Sequence, residues 1–178
     1  MLIKYAILGF LGWRPMSGYD LKKFFEDSQI LYWSGNNNQI YRTLVDLHQE
    51  DLVTLEIKQQ ENYPARKVYT ITDKGRQVLH QWLTSAPEMP QLKHAFLVQL
   101  TWADSLTHQE LNHLLEEYEN EVQMQLLLAR TPSQQTMLSQ ARTPREAYLW
   151  GMIHENLCAR HENELIWVRK LRQFLAQT

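Results

Sequence analysis

The sequence predicts a mainly α protein: an N-terminal winged helix-turn-helix with a two-stranded wing, plus a C-terminal all-helical dimerisation domain. Three observations predict it. Apolar residues recur at helical spacing in three short segments up to Leu52. Two β-branched segments flank a tight turn between Leu52 and Thr72. Beyond Pro90 the apolar positions fall almost only three and four apart.

Taken in order, Leu2, Ile3, Ala6, Ile7, Phe10 and Leu11 form the inner face of a first helix that Gly12 and Pro15 end, with Lys4 and Tyr5 pointing outward. Ser17 caps a second helix with Asp20 in capping-box position; Leu21, Phe24 and Phe25 are its buried face and Lys22 and Lys23 lie opposite. A loop holding Tyr32 and Trp33 leads to a third, amphipathic helix in SGNNNQIYRTLVDLHQEDLV, capped by Ser34, with Ile40, Leu44 and Leu47 inward and Leu52 closing the set. LVTLEIKQ and RKVYTIT then read as strands around the turn ENYPA, with Arg66 and Lys67 making the wing basic. Thr72-Asp73 caps a fourth helix whose apolar face is Val78, Leu79, Trp82 and Leu83. The segment TSAPEMP is the clearest shift in composition, and it divides the chain into domains 1–85 and 90–178.

In the second domain Leu92–Trp102 reads as a mostly apolar helix. Thr107 caps the next, with Leu111, Leu115, Tyr118, Val122, Leu126 and Ala129 at coiled-coil-like spacing until Thr131-Pro132. Thr143, Pro144 and Glu146 supply cap, N1 proline and N3 acid for a last helix running to about Phe174, with a seam of Trp150, His154, Leu157, His161, Leu165, Val168, Leu171 and Leu175. About 30 residues of helix span roughly 45 Å, more than a small wing domain covers. A second copy of the chain is the natural cover, giving a homodimer through the C-terminal helices.

Composition narrows the function. One cysteine, Cys158, excludes a disulfide framework and fits a reducing, cytoplasmic location. No run approaches the roughly 20 apolar residues that span a bilayer, and MLIKYAILGFLGW lacks the basic start and cleavage site of a signal peptide. The net charge is −2, but residues 1–85 carry ten Lys+Arg against nine Asp+Glu, and the remainder eight against eleven, so an anionic partner would meet local patches and a dimer's doubled contacts. His108, His113 and Glu117, or His154 and His161 with Glu155 or Glu162, do not provide the convergent ligand set that zinc needs. Cys158 with His161 lacks a third group to orient the imidazole. No catalytic residues, metal or cofactor are therefore assigned.

The third helix carries the most informative side chains. Its polar end presents Asn36, Asn37, Asn38, Gln39 and Arg42 beside Tyr41. Asn is a poor choice for a helix surface on propensity, but a side-chain amide offers donor and acceptor together, and Asn, Gln and Arg are the residues that read base edges in the major groove. Double-stranded DNA is the partner this face suits. The alternative is a winged-helix protein-interaction module without sequence-specific DNA binding; protein-binding helices, however, favour aromatic and aliphatic anchors over amides.

The pieces LIKYAILGFL, SGYDLKKFF, Trp33 with QIYRTLVDLHQEDLV, and KVYTITDKGRQVLHQWL together resemble the PadR family of bacterial transcriptional regulators, strongly to about Leu83 and loosely beyond. Gly18-Tyr19, Gln39-Ile40-Tyr41 and the run from Tyr69 to Gly75 are its specific motifs. The resemblance implies a dimeric repressor that is released from DNA by a small aromatic effector such as a phenolic acid, and the two recognition helices of a dimer call for a pseudo-palindromic operator. It implies DNA contacts from Asn37, Asn38, Gln39, Tyr41 and Arg42, with Tyr5, Tyr19, Arg66 and Lys67 against the backbone. Glu50-Asp51 stands where family members often have an acidic residue and glycine. For the effector, the indoles Trp82, Trp102, Trp150 and Trp167, with His94, exceed what helix packing needs. Trp150 and Tyr148 are candidate walls, His154 and Arg160 candidate carboxylate ligands, and Tyr5 or Tyr19 the side nearer the DNA-binding domain.

Overall fold

Four helices of this chain begin where the sequence supplies a side-chain acceptor, at Ser17, Thr72, Thr107 and Thr143. The computed structural model describes residues 2–27, 37–60, 63–89, 94–131 and 141–175, in two compact units, Met1–Glu88 and Met89–Thr178. In the first unit, α1 (Leu2–Leu11) buries Ile3, Ile7, Leu8, Phe10 and Leu11. The residues expected to point outward are instead engaged. Lys4 Nζ pairs with the Glu50 carboxylate at 2.5 Å, and the Tyr5 ring stacks on Trp82 with centroids 4.4 Å apart.

The sheet has three strands, not the two expected. Met16–Ser17 forms β1, which pairs antiparallel with β3 (Tyr63–Ile71) through Met16↔Tyr69 and Ser17↔Val68, and β3 pairs with β2 (Val53–Gln60), giving the order β1-β3-β2. Two residues are too few to show alternation, so only the partner strand reveals β1. The strand β3 also starts earlier than the turn ENYPA suggested. A register shift lies between Lys58 and Gln60, and Gln60 pairs with Tyr63. Because β1 reaches only Val68 and Tyr69, position 64 lies where β3 has an open edge among the described residues, and a proline without an N–H is tolerated there.

Ser17 begins α2 (Gly18–Asp27) with a reciprocal capping box: its N–H donates to Asp20 Oδ2 at 2.8 Å and its Oγ accepts from the Asp20 N–H at 3.2 Å. Helix α3 (Asn37–Gln49) buries Ile40, Thr43, Leu44 and Leu47; its expected cap, Ser34, lies outside the described residues. The helix ends in a Schellman turn, with Leu52 N–H donating to Leu47 O at 2.9 Å and Asp51 N–H to His48 O at 3.1 Å. Asp51 is left-handed, with φ 58°, the one such non-glycine among the described residues. The position where the resemblance expects glycine thus keeps the glycine conformation without the glycine. Asp tolerates it better than most residues. Thr72 caps α4 (Asp73–Leu83) by accepting from Gly75 N–H at 3.0 Å. Of the expected apolar face of α4, Val78 and Leu79 are half-buried while Leu83 is exposed within this unit.

In the second unit, α5 (Ala95–Thr101) and a 3-10 turn (Ala103–Ser105) precede α6 (His108–Ala129), which starts with a complete Thr107–Glu110 capping box. Thr143 Oγ1 likewise accepts from Glu146 N–H at 3.0 Å at the start of α7 (Pro144–Leu175), a 32-residue helix. The seam read from the sequence is not held for a partner, as expected, but is largely covered by the chain's own α6. Leu165 packs with Val122 and Leu126, and Val168 with Phe96 and Leu115, joined by Leu171 and Leu175. Charges reinforce this pair of helices, since Arg169 Nε and Arg172 Nη1 both donate to the Glu119 carboxylate, at 2.7 and 2.5 Å, and the Arg169 bond foremost holds that carboxyl below its usual range. What remains exposed on α7 is a second apolar stripe, including Tyr148, Leu149, Met152, Ile166 and Phe174. At about 100° per residue it lies on a different side of the helix from the seam.

The turn at Asp51 generates a prediction. Its hydrogen bonds, Thr72 Oγ1 to Asp51 O at 2.8 Å included, use the backbone alone, so Asp51→Gly keeps them and removes the left-handed cost. The variant should be about 0.5–1 kcal/mol more stable, net of glycine's extra unfolded-state entropy, measured by chemical or thermal unfolding.

Candidate nucleic-acid interface

The inner face of α3 fixes which side chains point outward. With Ile40, Thr43, Leu44 and Leu47 buried, period 3.6 turns Asn38, Tyr41, Arg42, Val45 and Asp46 to solvent, and Gln39 sits half-buried at the edge. Asn37 is the first residue of the helix. The amide and guanidinium groups therefore gather at the N-terminal end, where a helix in the major groove leads.

Three sequence motifs far apart in the chain converge beside this face. A Cβ placed on Gly18 would lie 2.5 Å from Tyr41 Cε1, so only glycine lets the start of α2 approach the Tyr41 ring. Tyr69, opposite Met16 in the sheet, has its hydroxyl pKa raised by burial and by neighbouring Tyr41. Gly18-Tyr19, Gln39-Ile40-Tyr41 and Tyr69 thus meet as one packed junction. Tyr19 stands out from it, 69% exposed.

The wing supplies the cations less evenly than the sequence suggests. Lys67 is exposed. Arg66 donates from Nη2 to Asp20 Oδ2 at 2.5 Å and lies 3.4 Å from Ser17 Oγ. Burial works against ionisation of Asp20, but the hydrogen bonds from Ser17 and Arg66 outweigh it and hold the carboxyl below its usual range. Sequence reading found the Ser17–Asp20 box but missed its third member, because 46 residues separate Asp20 from Arg66. Tyr5, expected against a phosphate backbone, has one ring face covered by Trp82.

The candidate walls and carboxylate ligands, Tyr148, Trp150, His154 and Arg160, all lie on α7. Trp150 and His154, four apart, share a side of the helix and are half-buried, whereas Tyr148 and Arg160 project to other sides and are exposed. A single straight helix does not bring all four to one ligand. His154 Nε2 lies 3.9 Å from Cys158 Sγ, and His154 Nδ1 is buried with no hydrogen-bond partner among the described residues. His161, which the sequence placed beside Cys158, has its pKa lowered by burial and then by Arg160. His94 Nε2 faces the Tyr118 hydroxyl at 3.1 Å, and that hydroxyl donates to Glu164 at 2.7 Å, so His94 belongs to a packed polar group rather than to a pocket wall. An open cavity of about 570 Å³ is lined by Gln99, Trp102, Ala103, Leu106, Glu110, His113, Leu114 and Glu117. With two carboxylates and no Lys or Arg in that lining, it suits a carboxylate ligand poorly. His113 and Glu117 share it, but no three His, Cys, Asp or Glu side chains gather as a metal site among the described residues.

Comparison with known proteins agrees with this geometry. Residues 7–81 match the transcriptional regulator PadR-like family, a stretch from the middle of α1 to near the end of α4. The chain thus carries a PadR-like domain. It is 34% identical over 117 residues to the negative transcriptional regulator PadR of Bacillus subtilis; the match covers 65% of this chain and 64% of the length of that relative. Solved structures extend the likeness of fold to the second unit. Bacillus subtilis PadR in complex with operator DNA superposes with TM-score 0.83 at 27% identity, covering 98% of this chain and 99% of that one. The same PadR with p-coumaric acid gives TM-score 0.80 at 26% identity, covering 99% of each chain. Among the described residues no helix is long and apolar enough to cross a membrane.

Proposed function

We propose that this PadR-like chain is a homodimeric DNA-binding transcriptional repressor, not an enzyme, which releases its operator when a small aromatic acid binds. The observation that carries the reading is the outer face of α3, where Asn38, Gln39 and Arg42 gather at the leading end beside Tyr41, just after the first helical residue Asn37, supported by the likeness to a PadR solved on operator DNA. In this reading Asn and Gln bond adenine edges, Arg42 forks onto guanine, and Tyr19 and Lys67 meet phosphates, with Tyr5 and Arg66 beside them. An interaction module without DNA binding would need a cluster of apolar anchors on this face, and Tyr41 and Val45, set among Asn38, Arg42 and Asp46, do not form one.

The exposed stripe of α7, with Met124, Leu127 and Leu128 exposed on α6, supports the dimer, since a large exposed apolar patch marks an interface. Two such α3 helices call for half-sites about 34 Å apart in a pseudo-palindrome. For the effector, the relative's complex with p-coumaric acid supports an aromatic acid, with Trp150 as wall and His154 as carboxylate ligand; Tyr148 and Arg160 join only if another helix faces them. Release requires that the ligand prefer a different disposition of the α3 pair, because an effector shifts a population only by its differential affinity.

Three measurements test the reading. In titrations against DNA from upstream of the gene at fixed salt, Gln39→Ala and Arg42→Ala should each lose about 1–3 kcal/mol of operator affinity with the fold intact. Lys67→Ala should weaken all sequences and reduce the salt slope by about 1. Unchanged affinity in both α3 variants would remove the assignment of this face. Met152→Asp and Ile166→Asp, on the exposed stripe, should sediment as folded monomers with weakened operator binding, whereas a monomeric wild type at micromolar concentration contradicts the dimer. Finally, p-coumaric acid should quench tryptophan fluorescence and weaken operator binding, less so in Trp150→Phe; no effect at millimolar concentration leaves a DNA-binding dimer without this effector.

A further inference from the structure

We propose that Asp20 is a positioning residue for the wing, and that Arg66 serves DNA binding by fastening the outer wing to the start of α2 rather than by holding a phosphate. The inference rests on the DNA-binding reading above.

The geometry of one carboxylate oxygen carries it. Asp20 Oδ2 accepts from Ser17 N–H and Ser17 Oγ, each at 2.8 Å, and from Arg66 Nη2 at 2.5 Å. These donors belong to β1 and β3, and the acceptor to α2. The backbone ladder between β1 and β3 stops at Ser17↔Val68. Arg66 lies two residues beyond it toward the tip, on the same face of β3 as Val68, and opposite Lys58 beside the register shift. Its side chain therefore continues the attachment where backbone hydrogen bonds to β1 end. The hairpin outside that point is otherwise a two-stranded ribbon, which twists freely.

Electrostatics argue in the same direction. A phosphate contact needs an uncompensated cation, yet this guanidinium already faces a carboxylate kept ionised by three donors, and a phosphate approaching it would meet that carboxylate. Lys67, alternating to the other face of β3, is the exposed cation left for the backbone. A partly exposed ion pair contributes little to global stability. Its worth lies in geometry: it holds the wing at a fixed angle to α2, and through Gly18 and Tyr41 to α3.

The test compares wild type, Lys67→Ala, Arg66→Gln, Asp20→Asn and the Asp20→Asn/Arg66→Gln double variant in operator titrations over a range of salt. Arg66→Gln removes the fastening while leaving the Ser17–Asp20 cap intact, so it stays informative if Asp20→Asn folds poorly. Arg66→Gln and Asp20→Asn should each lose operator affinity by about tenfold, within the range for residues sharing one hydrogen-bond network, and the double variant should be no weaker than either. The salt slope of Arg66→Gln should match wild type. Asp20→Asn binding DNA more tightly than wild type, as removal of a merely repulsive charge would produce, overturns the proposal, as does a fall of about one in the slope of Arg66→Gln. Amide hydrogen exchange at Ala65, Arg66 and Lys67 in the DNA-free protein reads the fastening independently. Faster exchange in Arg66→Gln supports it and unchanged exchange overturns it. A wild type that binds no operator while exchange still responds would instead bring down the DNA-binding reading and leave the fastening standing.

Discussion

One backbone conformation holds the first unit in register. Asp51 turns left-handed at the end of α3, and the reversal presents two carbonyls to the start of α4: Asp51 O accepts from the Thr72 hydroxyl and Leu52 O from the Thr72 N–H at 3.0 Å. A Cβ on Gly75 would lie 2.2 Å from Leu52 O, so α4 can settle here only with glycine at that place. Leu52 itself is buried, and Val53 beside it opens the sheet opposite Ile71. The direction of α3, the root of the wing and the position of α4 thus depend on a turn of three residues. The side chains proposed to read DNA are aimed by it from the other end of α3.

What the sequence disclosed follows the range of the interactions. Ser17, Thr72, Thr107 and Thr143 were legible as caps because each acts on an N–H three residues away. The buried sets of α1 and α3 were legible from their period. Contacts between distant segments were not. Nothing local marks Met16–Ser17 as a strand, assigns Arg66 to Asp20 or lays Trp82 over Tyr5. The seam of α7 shows the middle case: period placed Leu165 and Val168 on one face, but a period cannot say whether the covering helix comes from the same chain.

For the candidate site the same division holds. The polar end of α3 could be read from residue types and burial alone. The effector residues were chosen for chemistry, and helical geometry separates Tyr148 and Arg160 from Trp150 and His154. The open cavity found among the described residues of the second unit is lined by carboxylates and by none of these four. Aromatic and basic residues in one segment mark composition, whereas a pocket is a matter of direction.

The three-stranded sheet has a consequence for the order in which the chain acquires its structure. Each capped helix carries its own start signal and can flicker into existence within a few residues of synthesis. Ser17, by contrast, meets Val68 only after the intervening half-hundred residues exist. Closing so large a loop is entropically slow compared with forming a helical turn. The junction that brings α2, α3 and the wing together is therefore among the last parts of this unit to form as the nascent chain leaves the ribosome. Until then the apolar face of α3 has no sheet to rest on, and the growing polypeptide is at its most vulnerable to proteases and to aggregation.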